Sequence, residues 1–321
     1  MIKKILLISG DPYSINTEII AKAWKKIKYN TKTKIYLISN YKLIKAQLNK
    51  LNYSLKISKV DNINQQAKND CLKLVNVNVK FDNPYKISKK KRSVFVKNCL
   101  DKAHLLASRS ASIGIINCAI DKTLLSNQKM GVTEYLATKC KVKKDKEVML
   151  IKNKNLSVIP ITTHIDVKEI SKNINSKKII KKVITANNWF KKYMRKKPKI
   201  GILGLNPHNA ELRKKSEENK IIIPAIKKLS KLRVNIKGPL VSDTVFIEDY
   251  KKFDLIVGMF HDQVLSPFKA IFKFDAINAT LGLKYLRVSP DHGTAINLIG
   301  KKIARPDSLI NCINFLHKIR K

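Results

Sequence analysis

Three of the six histidines lie in matching places, each just past a short apolar run that has the composition of a buried strand. They are His164, His208 and His261. Ligands of open α/β sheets bind outside the carboxyl ends of the strands, so three imidazoles in such places could converge on one ion. Imidazole is the commonest ligand of zinc and similar metals, and three leave positions open for a substrate oxygen. The three matching places together predict a metal site, although each histidine taken singly is better explained as an ordinary loop residue or a buried, hydrogen-bonded one.

A second group follows the last of these histidines. Lys269 lies eight residues past His261 on a predicted short helix, and Asn278 and Arg287 lie in the following turn and strand. An arginine fork and a lysine point charge with an amide between them suit a substrate that carries a phosphate or a carboxylate. Arg287 is the more informative cation because it interrupts an apolar stretch. A structural salt bridge to a carboxylate is the alternative explanation of Arg287.

The segment 289–295 runs from a strand into a predicted helix and includes His292, Gly293, Thr294 and Ala295. A glycine, a hydroxyl and a helix N-terminus could meet an anionic or ribosyl group. The chain contains no G-x-G-x-x-G and no G-x-x-x-x-G-K-[ST], so a Rossmann dinucleotide site and a P-loop have no support.

Short β-branched runs alternate with stretches of helical period, which predicts an α/β fold with a largely parallel sheet. The predicted strands are 5–9, 34–38, 113–118, 148–151, 158–162, 200–205 and 255–260. The predicted helices are 17–27, 93–107, 133–139, 167–193, 223–232 and 308–319. The basic run 89–92 is interpreted as a solvated loop, and the break at 196–198 is the best single boundary within the chain.

The charge of the chain is extreme, +43 over 321 residues, but only eight of the 66 basic residues are arginine. Lysine, asparagine and isoleucine share A/T-rich codons, so a biased genome explains surface lysine without a polyanion partner. Nucleic-acid readers use arginine and interleaved aromatics, and aromatics are 7% here, so we expect no nucleic-acid partner. Five widely spaced cysteines and the absence of a long apolar run favour a reducing cytoplasm and no membrane span.

Seven short motifs occur in an order that closely resembles the 4-hydroxythreonine-4-phosphate dehydrogenase family, over nearly the whole chain. The motifs are Gly10-Asp11-Pro12, Gly131-Val132-Thr133-Glu134, Thr162-Thr163-His164, Gly204-Leu205-Asn206-Pro207-His208, Gly238-Pro239-Leu240 with Asp243-Thr244, Phe260-His261-Asp262-Gln263 with Pro267-Phe268-Lys269, and Asp291-His292-Gly293-Thr294-Ala295.

The resemblance implies two α/β/α domains around a central cleft, similar to isocitrate and isopropylmalate dehydrogenases, in a homodimer. We expect one domain over 1–130 plus 280–321 and the other over 131–279. By their motifs, the three histidines would hold a divalent metal (zinc, magnesium, manganese or cobalt) shared between subunits. The proposed site residues beyond the metal ligands are Thr133, Lys269, Asn278 and Arg287 for the phosphorylated substrate, and His292, Gly293, Thr294, Ala295 and Asn297 for NAD.

The reaction implied by the resemblance is NAD-dependent oxidation of the 3-hydroxyl of 4-phosphohydroxy-L-threonine, followed by decarboxylation to 3-amino-2-oxopropyl phosphate in pyridoxal 5'-phosphate biosynthesis. A metal can polarise the oxygen as it becomes a carbonyl and stabilise the enolate that develops when carbon dioxide leaves. Asp243 and Asp262 are the candidates for orienting the histidine ligands or for proton transfer.

The chain departs from the family pattern at several positions. Val132 replaces a substrate-binding histidine and Asn297 replaces an aspartate, while the opening loop lacks later glycines and Asn209 and Val264 replace small residues. Two alternatives therefore stay open. One is a related metal- and NAD-dependent dehydrogenase of a four-carbon phosphorylated sugar acid, and the other is a non-catalytic relative that binds a polyanion.

Overall fold

The computed structural model describes residues 3–27, 33–65, 70–110, 112–125, 131–273 and 275–319. The chain divides into two compact units, one of residues 1–141 and 283–321 and the other of residues 142–282. The domain boundaries that the sequence predicts, after residues 130 and 279, stay predictions, and residue 130 lies outside the described residues. Among the described helices, none has the length and hydropathy needed to cross a membrane.

The first unit is built on a parallel sheet. Its strands are β1 (Lys4–Ile8), β2 (Lys34–Ser39), β3 (Ile57–Val60), β4 (Leu72–Asn76), β5 (Ile113–Asn117) and β12 (Leu286–Pro290), in the order β3-β4-β2-β1-β5-β12. Its helices are α1 (Asn16–Ile27), α2 (Tyr41–Lys50), α3 (Lys89–Ser108), α4 (Val132–Lys139) and α10 (Asp307–Lys318). Strands β1 and β5 are buried along nearly their whole length, which explains their continuous apolar sequence.

The second unit has a mixed sheet. Its strands are β6 (Val148–Lys152), β7 (Ser157–Pro160), β8 (Ile200–Leu203), β9 (Ile236–Leu240), β10 (Leu255–Gly258) and β11 (Ile277–Leu281), in the order β11-β6-β7-β10-β8-β9. Strand β6 runs antiparallel to both of its neighbours, and β7, β10, β8 and β9 are parallel. The helices are α5 (Ile170–Asn173), α6 (Ser176–Trp189), α7 (Ile223–Lys231), α8 (Ser242–Val245) and α9 (His261–Phe272). The predicted α/β class is confirmed.

All seven predicted strands are present within a few residues, but the helix predicted over 167–193 is wrong as a single element. A short 3-10 turn and α5 precede α6, and the chain between α5 and α6 is extended at Ile174. Asn175 begins α6 as its N-cap, because its side chain accepts a hydrogen bond from the Lys178 amide at 2.8 Å. Asparagine side chains compete for backbone groups in this way and so interrupt helices.

The basic run 89–92, interpreted from the sequence as a loop, is instead the first turn of α3. Ser88 caps this turn by accepting a hydrogen bond from the Lys91 amide, at 3.4 Å. Arg92 turns inward and forms a partly buried ion pair with the buried Asp11, donating from one guanidinium nitrogen to both carboxylate oxygens at 2.9 Å. The break at 196–198 lies within the second unit, between a π-helical turn and β8, so it separates two elements rather than two domains.

Candidate active site

His164 and His261 come together in the second unit. Strands β7 and β10 are parallel neighbours in the sheet, and each histidine follows the carboxyl end of one of them. The two ring centres are 5.6 Å apart with the planes tilted by 40°. His261 is half-buried as the first residue of α9, whereas His164 is exposed in the loop after β7.

The spacing of this pair fits ligation of one ion. A metal–nitrogen bond of about 2.1 Å places a ring centre about 3.2 Å from the metal, so two ligands at a tetrahedral angle have ring centres about 5 Å apart. The observed separation of 5.6 Å is close to that value. The Nδ1 atom of His261 lies 2.7 Å from Oδ1 of Asp262, which leaves Nε2 as the nitrogen for a metal.

His208 does not join the pair within one chain. No group of three histidine, cysteine, aspartate or glutamate side chains in the described ranges is arranged to hold a metal ion. His208 is exposed and begins a run of five residues with positive φ, from 208 to 212. Each non-glycine residue in this conformation costs about 1 kcal/mol. The expectation that three histidines converge is therefore not met by a single chain, and sharing between subunits stays a prediction.

Glu218 braces the loop that carries His208. Its buried carboxylate accepts hydrogen bonds from the amides of Leu205 and Asn206, both at 2.8 Å, and from the Asn206 side chain at 3.0 Å. Burial alone would raise the pKa of this carboxyl. The hydrogen bonds from Asn206 and Leu205 outweigh burial and hold the pKa below its usual range.

Gln263 joins three strand-end loops of the second unit. Its Oε1 accepts a hydrogen bond from the Met259 amide at 2.7 Å, and its Nε2 donates to the Gly204 carbonyl at 2.7 Å and to the Ser242 hydroxyl at 2.8 Å. The loops before α9, after β8 and before α8 are thereby fixed to one another. Asp243, the other candidate for a role beside the histidines, is exposed in the first turn of α8.

No role was predicted from the sequence for Glu218, Gln263 or Arg92. Gln263 was noted only as part of the motif around His261, and its hydrogen-bond partner Gly204 is 59 residues away along the chain. Glu218 and Arg92 had no signal beyond their residue type. Their importance depends on burial and on contacts that only the folded chain brings together.

Lys269 and Asn278 lie on different elements of the second unit. Lys269 is half-buried near the end of α9, at about 12 Å along the helix axis from His261 for a rise of 1.5 Å per residue. Asn278 lies in strand β11 rather than in the predicted turn. Its Oδ1 atom is buried and has no hydrogen-bond partner within the described part of the chain. A buried amide oxygen of this kind fits a role in binding a ligand group.

Arg287 lies in strand β12 of the first unit and is 4% exposed. Its Nε donates to Oδ1 of Asn117, the last residue of β5, at 2.6 Å. Burial lowers the pKa of the guanidinium to about 10, against the opposing influence of Cys312, Glu134 and Tyr285, so Arg287 is charged at neutral pH. Thr133 lies beside Glu134 in the first turn of α4, whose N-cap amide on Gly131 donates to the Glu134 carboxylate at 3.0 Å.

The segment predicted to contact the cofactor follows β12. The Nε2 atom of His292 is buried and lacks a hydrogen-bond partner among the described residues, while its Nδ1 lies 2.9 Å from the Gly293 carbonyl oxygen. A Cβ built on Gly293 would meet nothing within 4 Å, so no other group packs against this side of the backbone. An unsatisfied imidazole nitrogen beside bare backbone fits close approach of a planar, hydrogen-bonding group such as a nucleotide base.

The helix predicted to follow this segment is wrong. Ala295 adopts a left-handed conformation, with φ 47°, and only a three-residue 3-10 turn, Ile296–Leu298, follows it. Asn297 is exposed in that turn, and the next α-helix, α10, begins at Asp307. A turn this short offers no helix N-terminus to an anion, so any contact with a cofactor must come from side chains and loop backbone.

Residues 31–316 match the family described as "Pyridoxal phosphate biosynthetic protein PdxA". The chain belongs to the PdxA family. A relative named 4-hydroxythreonine-4-phosphate dehydrogenase, from Sulfurihydrogenibium sp. (strain YO3AOP1), is 36% identical over 99% of this chain and 99% of its own length. The resemblance stated from the motifs is thus confirmed, and with it the class of enzyme, an oxidoreductase.

Solved structures show the fold of the PdxA family in this chain. The 4-hydroxythreonine-4-phosphate dehydrogenase of Klebsiella pneumoniae superposes with a TM-score of 0.85 at 24% identity and covers 99% of this chain and 98% of its own. An isocitrate dehydrogenase from Methylococcus capsulatus gives a TM-score of 0.53 at 14% identity, covering 98% of this chain and 84% of its own. The predicted likeness to the isocitrate dehydrogenase fold is confirmed.

Proposed function

We propose that this member of the PdxA family oxidises the 3-hydroxyl of 4-phosphohydroxy-L-threonine, with NAD as the hydride acceptor, and that the product loses carbon dioxide to give 3-amino-2-oxopropyl phosphate. The reaction belongs to pyridoxal 5'-phosphate biosynthesis. The observation that carries the proposal is the imidazole pair of His164 and His261, 5.6 Å apart and backed by Asp262, in a chain whose relatives bear this enzyme's name.

His164 and His261 of one chain would hold the divalent metal, and His208 would complete the set from a second subunit of a homodimer. When bound, the metal would supply Lewis acidity at the hydroxyl oxygen, and NAD would accept the hydride. Asp262 fixes the tautomer and orientation of the His261 ring through Nδ1. Glu218 and Gln263 hold the strand-end loops in the geometry that these ligands require.

Four residues remain the proposed ligands of the phosphorylated substrate: Thr133, Lys269, Asn278 and Arg287. Arg287 is permanently charged at neutral pH and held by Asn117, so it presents a guanidinium in a fixed orientation. The buried, unsatisfied Oδ1 of Asn278 suits a hydrogen-bond donor on the substrate. In the reaction the hydroxyl proton would leave to a base, for which Asp243 and Asp262 are candidates, as the hydride on the same carbon passes to NAD. The electron pair of the broken C–C bond would then move onto the new carbonyl as carbon dioxide leaves, and the carbon that lost the carboxylate would take up a proton.

The side chains after β12 are the proposed cofactor ligands. The buried Nε2 of His292 and the bare backbone at Gly293 support this assignment, together with Thr294, Ala295 and Asn297. An asparagine at 297 can hydrogen-bond a ribose hydroxyl, although without the charge of a carboxylate.

One observation favours a second substrate class. Val132, the first residue of α4, is half-buried and directly precedes Thr133, and its side chain has no polar atom. A four-carbon phosphorylated sugar acid lacks the amino group of the threonine derivative and could tolerate this apolar contact. The second candidate is therefore a metal- and NAD-dependent dehydrogenase of such an acid.

The proposal is tested by incubating metal-loaded protein with NAD and each phosphate substrate, and measuring NADH absorbance and released carbon dioxide. We expect equal amounts of NADH and carbon dioxide from 4-phosphohydroxy-L-threonine, and loss of both in the His261→Ala variant. The control is Glu248→Gln, which alters an exposed side chain paired with Lys251. Faster turnover of the sugar acid would favour the second candidate, and no NAD reduction with either substrate would refute both.

A further inference from the structure

The start of helix α1 holds the segment 294–304 of the first unit at both ends. The Ile15 amide donates to the Thr294 carbonyl at 3.1 Å, just before α1 begins. At the other end, the Glu18 carboxylate accepts a hydrogen bond from the Ala304 amide at 2.9 Å. The Lys22 ammonium donates to the carbonyls of Lys302 and Ala304, both at 2.8 Å.

Glu18 is an unusual residue for this task because it is 1% exposed. A buried carboxylate is costly unless it is paired and hydrogen-bonded. Its Oε1 accepts from both Ala304 and Lys22, the latter at 2.7 Å, while Oε2 is buried with no hydrogen-bond partner among the described residues. The charge of Glu18 is therefore stabilised through the oxygen that contacts the segment and through the lysine that contacts it as well.

The segment between these anchors has little regular structure of its own. It contains one 3-10 turn, Ile296–Leu298, and its apolar side chains Ile296 and Ile303 are 40% and 63% exposed. Leu298 and Ile299 are half-buried and Ala304 is buried, so apolar contacts give part of its position, and the polar contacts at its two ends fix its backbone there. Thr294, Ala295 and Asn297, three of the proposed cofactor ligands, lie in it.

We infer that Glu18, acting with Lys22, is a positioning residue for cofactor binding, which rests on the proposed function of the segment. The pair fixes the backbone at 302–304 and, with the Ile15 contact, holds the proposed cofactor residues in the conformation that binds NAD. Neither side chain touches the reacting atoms. Their effect is on the affinity for NAD and not on the chemical step.

The test uses Glu18→Gln and Lys22→Met in the full chain, with the exposed Glu248→Gln change as the matched control. Hydrogen exchange of the cofactor-free protein reports the clamp directly: the Ala304 amide should exchange at least about tenfold faster in both variants, because its acceptor is weakened or displaced. The Kd and KM for NAD should rise about tenfold, with kcat and the KM of the phosphorylated substrate within about twofold of the wild type.

Several results would overturn the inference. Unchanged exchange at Ala304 would show that Glu18 and Lys22 do not hold the segment. Faster exchange with an unchanged Kd for NAD would make the contact merely structural, and an equal fall in kcat and in the affinities for both substrates would indicate general damage. A wild-type chain that binds no NAD would refute the proposed function itself, which unaltered NAD binding in the variants would not.

Discussion

Removing the Glu218 carboxylate should lower the free energy of unfolding of the second unit, because two backbone amides use it as their hydrogen-bond acceptor. Glu218 is fully buried and supplies the acceptor for the amides of Leu205 and Asn206. In Glu218→Ala both amides lose that acceptor, and a cavity replaces the side chain.

The cost has two parts. A buried donor left unsatisfied costs about 1–3 kcal/mol, and both amides belong to half-buried residues that water can partly reach, so about 1–1.5 kcal/mol each is reasonable. Loss of the one buried methylene group, Cγ, adds about 1 kcal/mol. We expect Glu218→Ala to lower the free energy of unfolding by about 3–4 kcal/mol, and Glu218→Gln, which keeps a neutral acceptor, by about 2 kcal/mol.

The effect should depend on pH with a defined sign. The pKa of Glu218 is lower in the folded chain than in the unfolded one, so its charge stabilises the fold above the ordinary glutamate pKa of about 4.3. That stabilisation is lost as the pH falls through the folded pKa. The difference between wild type and Glu218→Gln should therefore be constant at neutral pH and shrink in acid.

The assay can be confined to the second unit. The chain has two tryptophans, and Trp189 in α6 is buried in the second unit, whereas Trp24 lies in the first. Urea unfolding followed by Trp189 fluorescence in a Trp24→Phe background reports the second unit alone. Glu248→Gln is the control, with an expected change within about 0.5 kcal/mol. A cost below about 1 kcal/mol for Glu218→Ala, or a difference that grows in acid, would refute the reasoning.

Three further changes test other contacts. Asp262→Asn should lower metal affinity about tenfold, measured by competition with a chelator, because the His261 ring loses its charged partner; full metal content would contradict this role. Arg92→Met should cost about 3 kcal/mol at neutral pH, measured by thermal or urea unfolding, since it leaves the Asp11 carboxylate buried and unpaired. Burial already raises the pKa of Asp11, so the stability lost in Arg92→Met should shrink as the pH falls and Asp11 protonates. A stability loss that persists in acid would argue against a role for this ion pair. Val132→His should lower the KM for 4-phosphohydroxy-L-threonine about fivefold, the worth of one hydrogen bond, in a steady-state assay; no change would mean that the position does not contact the substrate.

The sequence predicted elements well where burial alone decides them. The run 113–118 is apolar because β5 has neighbours on both sides, and both the strand and its ends were recoverable. Strands β3, β4, β9 and β11 were not predicted, because each is a short run interrupted by lysine, asparagine or proline. Two of them, β3 and β9, are also edge strands. The helix over 167–193 failed at Asn175, whose preference for an N-cap is local and outweighs the helical period around it.

For the candidate site, the sequence could identify ligands but not their grouping. His164 and His261 meet because β7 and β10 are neighbours, although β8 and β9 separate them along the chain. His208 follows β8, the other neighbour of β10, yet the left-handed run that starts at His208 is a backbone property that no pattern of residue types indicated. A residue placed at the end of a strand is predicted to lie near a ligand, but local backbone geometry decides which of these side chains can bind the same ligand.

The same distinction applies to charge. Most of the +43 is lysine, and exposed pairs such as Lys56 with Asp70 contribute little to stability because water and salt screen them. Two of only eight arginines are instead held in the first unit against polar partners: Arg92, whose side chain is 12% exposed, against Asp11, and the buried Arg287 against Asn117. Arg92 donates from one guanidinium nitrogen to both Asp11 oxygens, and Arg287 donates from Nε to Asn117, so each has a specific polar partner where water is largely excluded. Net charge therefore says little about what this chain binds, whereas the few cations held away from water mark where its structure has a specific use for charge.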